Sequence, residues 1–490
     1  MRKSGILLSI SSLPSPYGIG TLGKSAYDFV DFLKNSGQYY WQILPINPTS
    51  FGNSPYQSFS AFAFNPYFID LDFLVEDGLL TKDECLCFDW GDDKKRVDYS
   101  LIYENRPKIL SKAADRFDCN NPDYIRFCEE NEYWLEDYSF FMALKNRYAM
   151  KELTMFPLKV RTRDTVTLDT LKKICEEKIR FHKITQFLFY SQWERLSAYA
   201  EKNGVHIIGD IPIYVSADSC DVWASPKQFC VDPNRNPYLV AGCPPDDFSP
   251  NGQLWGNPVY DWDYLKRDGY SWWIKRFRQA SRLFHTVRVD HFRGFYSYYT
   301  IEAGAKDGKN GEWKNADGED FMEKIKQAVP GIRIIAEDLG FMDEDIRKRI
   351  EKSGFPGMKI LQFAFSSDGE NEHLPHNFRK NTVVYTGTHD NNTTLGWQFV
   401  SPKKDVEFAM DYLGVSFSTR LTDAFVRSAL SSVSDTAIIP MQDYLKQGGN
   451  SRMNTPGIMG DNWIYRIEEK DIDNNLINRI YRQTKLYSRL

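Results

Sequence analysis

Arg288-Val289-Asp290-His291-Phe292-Arg293-Gly294 is a short apolar stretch that ends abruptly in charge. If His285 to Asp290 is a strand, side chains two apart share a face, so Arg288 and Asp290 point one way while Val287 and Val289 point the other. An arginine then sits beside a carboxylate and favours its charged form, the state a nucleophile needs. A lone Arg-x-Asp is more often a structural ion pair at a strand end. Two further stretches change that reading. Gly331-Ile-Arg-Ile-Ile-Ala-Glu337-Asp338-Leu-Gly340 carries a carboxylate from a β-branched run into a glycine-containing turn, and Thr382-Val-Val-Tyr-Thr-Gly-Thr-His389-Asp390-Asn391 is built the same way. In a parallel α/β barrel reactive groups gather where strands end, so acids from separate strands converge on one mouth.

Working outward, β-rich runs occur at 5–10, 39–45, 205–211, 286–290, 332–337, 358–363, 382–387 and 436–440. Helical patterns lie between many of them, at 24–35, 187–202, 271–284, 342–352 and 416–431. This alternation predicts an α/β fold: one (β/α)8 TIM barrel over 1–490, with large insertions forming subdomains around its C-terminal mouth. The largest insertion, 47–180, separates the second and third strands and carries helix-like stretches at Arg106 to Phe117 and Asp123 to Lys145. A second, 212–270, reads as a long Pro- and Gly-rich loop with several aromatics, the kind of segment that shapes a binding site or a lid.

The composition narrows the function class. With 490 residues, 42% hydrophobic and 26% charged, the chain has ample material for a large core. Its 61 basic and 66 acidic residues leave a net charge of −5 with no long run of either sign, which argues against nucleic acid or an anionic membrane as the main partner. The opening Met1-Arg-Lys followed by Gly5-Ile-Leu-Leu looks like a signal peptide, but the apolar part is too short and leads into Ser-Ser-Leu-Pro, so a first buried strand fits better. Nothing elsewhere approaches a membrane span. The eight cysteines are scattered without paired C-x-x-C spacing, consistent with reduced thiols in a cytoplasmic protein. His373-Leu-Pro-His376 is interrupted by proline and reads as a loop, not a metal pair. No metal or other cofactor is expected.

Seven stretches, in order, carry a family resemblance: Ser54-Pro-Tyr56 through Asn65-Pro-Tyr67, Gly209-Asp210-Ile-Pro-Ile, Gln253-Leu-Trp255-Gly-Asn257-Pro, Arg288-Val-Asp290-His-Phe-Arg-Gly, Ala336-Glu337-Asp338-Leu-Gly, Gly387-Thr-His389-Asp390-Asn391 and Arg452-Met-Asn454-Thr-Pro-Gly. From Gly5 onward the chain resembles the 4-alpha-glucanotransferases, or amylomaltases, of the alpha-amylase superfamily. The resemblance implies Asp290 as nucleophile, Glu337 as general acid/base and Asp390 as the third carboxylate, which distorts the sugar and stabilises the transition state. It implies Arg288 and His389 as donor-site residues, and Tyr56, Asp210, Gln253 and Trp255 as sugar contacts, the last two in a loop folding over the glucan. The implied partners are maltooligosaccharides and alpha-1,4-glucans.

The chemistry agrees with those roles. A retaining glycosidase needs one carboxylate to attack the anomeric carbon while a protonated one supplies the leaving oxygen. Arg288 suits Asp290 to attack, burial or a neighbouring acid can keep Glu337 protonated, and an ionised Asp390 favours the oxocarbenium-like transition state. The covalent intermediate is then opened by a sugar hydroxyl or by water, according to acceptor binding and water exclusion. Three positions depart from the family pattern: Asn392 where an acid is frequent, Asp247 where tyrosine is frequent, and Glu302 where proline is usual. A retaining alpha-glucan hydrolase and an inactive glucan-binding protein are the alternative readings.

Overall fold

The computed structural model describes residues 2–490 except Phe51, 246–249, Phe341, Asp343, 367–368 and Met459. Its strands, in chain order, are β1 (Lys3–Leu7), β2 (Tyr40–Gln42), β3 (His206–Ile211), β4 (Leu239–Cys243), β5 (Gln253–Pro258), β6 (Thr286–Val289), β7 (Ser297–Glu302), β8 (Glu312–Asn315), β9 (Ile334–Ala336), β10 (Gly357–Ile360), β11 (Thr382–Tyr385) and β12 (Thr436–Pro440). Eight of them close a parallel barrel in the order β1-β12-β11-β10-β9-β6-β3-β2. Each lies on one of the expected β-rich runs, because barrel strands are packed on both faces and show as short continuous apolar segments. The first run extends too far: β1 stops at Leu7, and Ile10–Ser12 form a 3-10 turn whose residues are buried all the same.

Register fixes the site. Asp210 of β3 stands beside Arg288 of β6, and Val289 stands beside Ala336 of β9. Asp290 and Glu337 are therefore the next residues out of two adjacent strands. The Asp290 N–H still bonds to the Ile211 carbonyl at 3.0 Å, and the Glu337 N–H to the Val289 carbonyl at 3.1 Å, so the ladder continues one residue past the strand ends.

The insertion after β2 is mainly helical. The expected helix at Asp123 to Lys145 is two helices, Pro122–Glu130 and Glu132–Arg147. Asn131 breaks it by bonding locally: its amide donates to the Phe127 carbonyl at 2.9 Å and its side-chain oxygen accepts the Trp134 indole at 3.0 Å. The helix expected at 187–202 begins at Glu176 and runs to Lys202. It packs on both Lys24–Asn35 of the barrel layer and Glu132–Arg147 of the insertion, so one rigid element joins the two.

The segment 212–270 is not simply a loop. It contains β4 and β5, which pair antiparallel, and β4 pairs in turn with β7 from the excursion after β6. The result is a four-stranded sheet, β5-β4-β7-β8, with a small apolar cluster of Val240, Tyr299 and Ile301 separate from the main core. The central β4–β7 pairing joins segments distant in sequence, Leu239 against Glu302, and Gly242, Gly256 and Pro258 interrupt the alternation, so local pattern does not reveal the sheet. His373 and His376 are used structurally: His373 Nδ1 accepts the Ile360 N–H at 3.1 Å, and His376 Nδ1 meets the Tyr412 hydroxyl at 2.8 Å.

Candidate active site

Arg288 is the hub. One terminal nitrogen bonds both oxygens of Asp210 at 2.8 and 2.7 Å, and the other reaches Asp290 Oδ1 at 3.1 Å. The arginine side chain is 4% exposed and Asp210 wholly buried, whereas Asp290 is 29% exposed toward the cleft. The remaining capacity of Asp210 is filled by the Tyr56 hydroxyl at 2.7 Å. Asp210, expected as a sugar contact, is thus enclosed behind Arg288 and Tyr56 and acts on the cleft through them. Burial, then the Asp210 charge, pushes the Tyr56 phenol far up, so it stays protonated and donates.

Glu337 leaves β9 beside Asp290. Its carboxyl accepts the His291 N–H at 2.7 Å and the Leu339 N–H at 2.8 Å. Burial is the main cause that raises both carboxyls; Glu337 and Asp210 add to it for Asp290, while Arg288 opposes it at both sites. Two acids coupled in this way lose their protons as a pair, and burial moves that loss to higher pH. Arg288 opposes that upward shift at Asp290, but its guanidinium is shared with Asp210.

Asp390 follows β11 in a turn where the Asn391 side-chain oxygen accepts the Thr388 N–H at 2.8 Å. Its side chain is 42% exposed, with His389 Nε2 at 3.3 Å. Burial lowers the His389 pKa and so favours the uncharged imidazole, which makes this contact a dipolar approach and not a full ion pair. The imidazole stacks on the Tyr56 ring at 5.0 Å and 10° and lies 5.9 Å from Trp463.

Several supporting groups were not assigned roles from sequence. Asn454 donates to Asp390 Oδ1 at 2.6 Å, Arg452 donates to the Asp390 carbonyl, and the Asn454 N–H bonds the His389 carbonyl at 3.1 Å. The Arg452-Met-Asn454 stretch had marked this segment, but its strap-like use depends on tertiary placement. Asp443, buried and raised by that burial, accepts the Thr394 N–H and hydroxyl at 2.7 Å each and the Thr386 hydroxyl, bracing the Asp390 turn from below. Trp463 completes the aromatic floor with Tyr56 and His389.

Gln253 and Trp255 stand at the start of β5, half-buried, with the indole N–H on Gln253 Oε1 at 3.0 Å. The Trp255 ring meets the His291 imidazole edge-on at 5.0 Å and lies 6.2 Å from Tyr214. Of the departing positions, Asn392 gives its carbonyl to the Gln362 amide at 2.8 Å, Glu302 is exposed opposite Leu239, and Asp247 lies outside the described residues.

Comparison with known proteins accords with this geometry. The model of glycoside hydrolase family 77, described as 4-alpha-glucanotransferase, matches residues 8–471. The chain belongs to the 4-alpha-glucanotransferase family. It is 44% identical over 485 residues to the 4-alpha-glucanotransferase of Clostridium butyricum, covering 98% of this chain and all of that one. It is likewise 44% identical over 497 residues to the 4-alpha-glucanotransferase of Streptococcus pneumoniae, covering 100% and 98%. An amylomaltase from Streptococcus agalactiae, solved in complex with acarbose, superposes over the full length of both chains with a TM-score of 0.97 at 39% identity. The chain shares its α/β barrel with that amylomaltase, and no helix among the described residues is long and apolar enough to cross a membrane.

Proposed function

We propose that Asp290 is the nucleophile, Glu337 the general acid/base and Asp390 the transition-state carboxylate with which this 4-alpha-glucanotransferase moves alpha-1,4-glucan segments from a maltooligosaccharide donor to the 4-hydroxyl of a glucose or glucan acceptor. The observation that carries the reading is the rim itself: three carboxyls leave β6, β9 and β11 at one end of the barrel, and only Asp290 is in contact with a buried arginine.

In the productive state Asp290 is ionised and Glu337 is protonated, and the Glu337 proton passes to the leaving oxygen as Asp290 bonds to the anomeric carbon. Arg288 stabilises the attacking carboxylate, and Asp390 opposes the positive charge that develops on the sugar. Deprotonated Glu337 then takes the proton of the incoming hydroxyl as the glycosyl–Asp290 bond breaks. Tyr56 and His389 offer a flat stacked surface to the donor sugar. Trp255 and Gln253 offer a ring and an amide to the acceptor, and an acceptor seated there excludes water. We read the segments 47–180 and 212–270 as the subdomains that extend the cleft. A cytoplasmic setting accords with the scattered cysteines, which are free thiols.

Incubation with maltotriose tests the reading. Glucose together with maltopentaose and longer products, with total reducing ends constant, is the expected outcome. A steady rise in reducing ends without longer products would replace transfer by hydrolysis.

A further inference from the structure

His291 follows the proposed nucleophile in the left-handed region, with φ 48° and ψ 49°. Instead of continuing along β6, the chain folds back there into the 3-10 turn Phe292–Phe295, closed by the Gly294 N–H on the His291 carbonyl at 2.9 Å. Two successive N–H groups consequently face the same residue on the neighbouring strand. The His291 N–H donates to Glu337 Oε2 at 2.7 Å, and the Phe292 N–H donates to the Glu337 carbonyl at 3.0 Å. With the Leu339 N–H on Oε1 at 2.8 Å, both side-chain oxygens are held by main chain.

The imidazole has a different place. It lies edge-on to Trp255 at 5.0 Å, and its Nε2 has no hydrogen-bond partner among the described residues. Burial pushes its pKa down to about 3, so the ring is uncharged at neutral pH and its remaining N–H is too weak an acid to protonate a leaving group. What His291 supplies to Glu337 is therefore a backbone donor whose direction depends on a left-handed turn. Histidine and asparagine enter that region more readily than most residues, glycine without steric cost, and β-branched residues with the greatest strain.

We propose that His291 is a positioning residue for the general acid/base: its left-handed main chain presents the N–H that orients Glu337, and the tolerance of residue 291 for that conformation sets how well the acid is aimed. This rests on the reading of Glu337 as the acid/base, and the experiment separates the two. Four variants, His291→Gly, His291→Asn, His291→Ala and His291→Val, are compared with Glu337→Gln by kcat/KM on maltotriose and by kcat/KM for fluoride release from α-maltosyl fluoride. Fluoride leaves with little acid assistance, so its release reports attack by Asp290 without the proton transfer. His291→Ala and His291→Val should lose about tenfold or more on maltotriose and only about two- to threefold on the fluoride, a selective loss that general destabilisation does not produce. His291→Gly and His291→Asn should lose less than His291→Ala on maltotriose.

Equal losses on both donors for His291→Ala and His291→Val, while Glu337→Gln keeps its donor dependence, would overturn the proposal and leave the acid/base reading standing. Losses for His291→Gly and His291→Asn as deep as that of His291→Val would also overturn it, assigning the role to the imidazole. Equal loss on both donors for Glu337→Gln would remove the acid/base reading beneath it. Should His291→Val not fold, the comparison of His291→Gly with His291→Ala carries the same decision.

Discussion

The floor of the cleft and the edge that overhangs it are held by different kinds of force. On the floor, Arg288 and Asp210 are almost wholly buried, and each bonds to groups from another strand or from the Tyr56 segment. At the overhang, the polar contact of Trp255 is with Gln253, two residues away on the same strand, its ring makes edge contacts, and Leu254 between them is 39% exposed. Bond formation tolerates little misplacement, and crossed hydrogen bonds between strands provide that constancy. An acceptor must enter and leave at every turnover, which a half-exposed ring permits. On the proposed assignment, the comparison teaches that reaction class belongs to the floor and the choice between sugar and water to the overhang.

The largest effect should come from the floor. Asp290→Asn removes the attacking oxygen and should lower maltotriose turnover by about four powers of ten or more, read from the initial rate of product formation. Near-normal transfer would detach the chemistry from this residue.

Next is Asp210→Ala, which leaves the Arg288 guanidinium buried beside a vacated carboxylate. Breaking a buried pair in this way costs about 3–5 kcal/mol, measurable by denaturant unfolding, and turnover should fall about a hundredfold as Arg288 shifts from Asp290. An unchanged unfolding midpoint would mean that the floor is no more rigid than the overhang.

At the overhang, Trp255→Ala should change partition more than stability. Transfer is expected to drop about tenfold, hydrolysis less, so the ratio of glucose released to glucose transferred rises while the melting temperature stays within a few degrees. A large fall in melting temperature with a constant ratio would place Trp255 with the core.

The smallest effect concerns pH and separates stability from turnover. Because the folded protein raises the Asp290 and Glu337 carboxyls, their stabilising contribution is complete below the ordinary carboxylate pKa of about 4 and is lost as pH rises through the folded values. Asp290→Asn has no such group to ionise. Its melting temperature relative to the parent protein should therefore climb by a few degrees between pH 5 and pH 8.5. A gap that narrows over that range would show Arg288 outweighing burial.

The eight barrel strands could be read because runs such as Thr382-Val-Val-Tyr385 are buried on both sides and end in turn residues. The three acids could be read because each sits where its strand stops. Arg288 and Asp290 do share a face, as their spacing required. Spacing could not show that the same guanidinium spends two bonds on Asp210, since that neighbour lies about eighty residues earlier. The sheet that presents Trp255 was hidden for a similar reason: its strands come from two excursions, and short glycine-broken segments carry little signal until they pair. Nor does any composition rule place His291 in a left-handed turn, although histidine tolerates one.

Barrel closure also orders events during synthesis. β1 pairs with β2 on one side and with β12 on the other, Lys3 against Thr436 through Leu7 against Pro440. Behind that seam the Arg489 guanidinium donates to the Lys3 carbonyl at 2.9 Å and to the Leu430 carbonyl at 2.6 Å. A ribosome adding about 5–20 residues per second needs roughly 20–90 seconds to travel from β1 to β12. Throughout that interval one edge of the first strand has no native partner, and an open strand edge is a template for pairing with other chains. The nascent barrel is therefore open to misassembly at its first strand, and translation speed, more than thermodynamic stability, sets how long that vulnerability lasts.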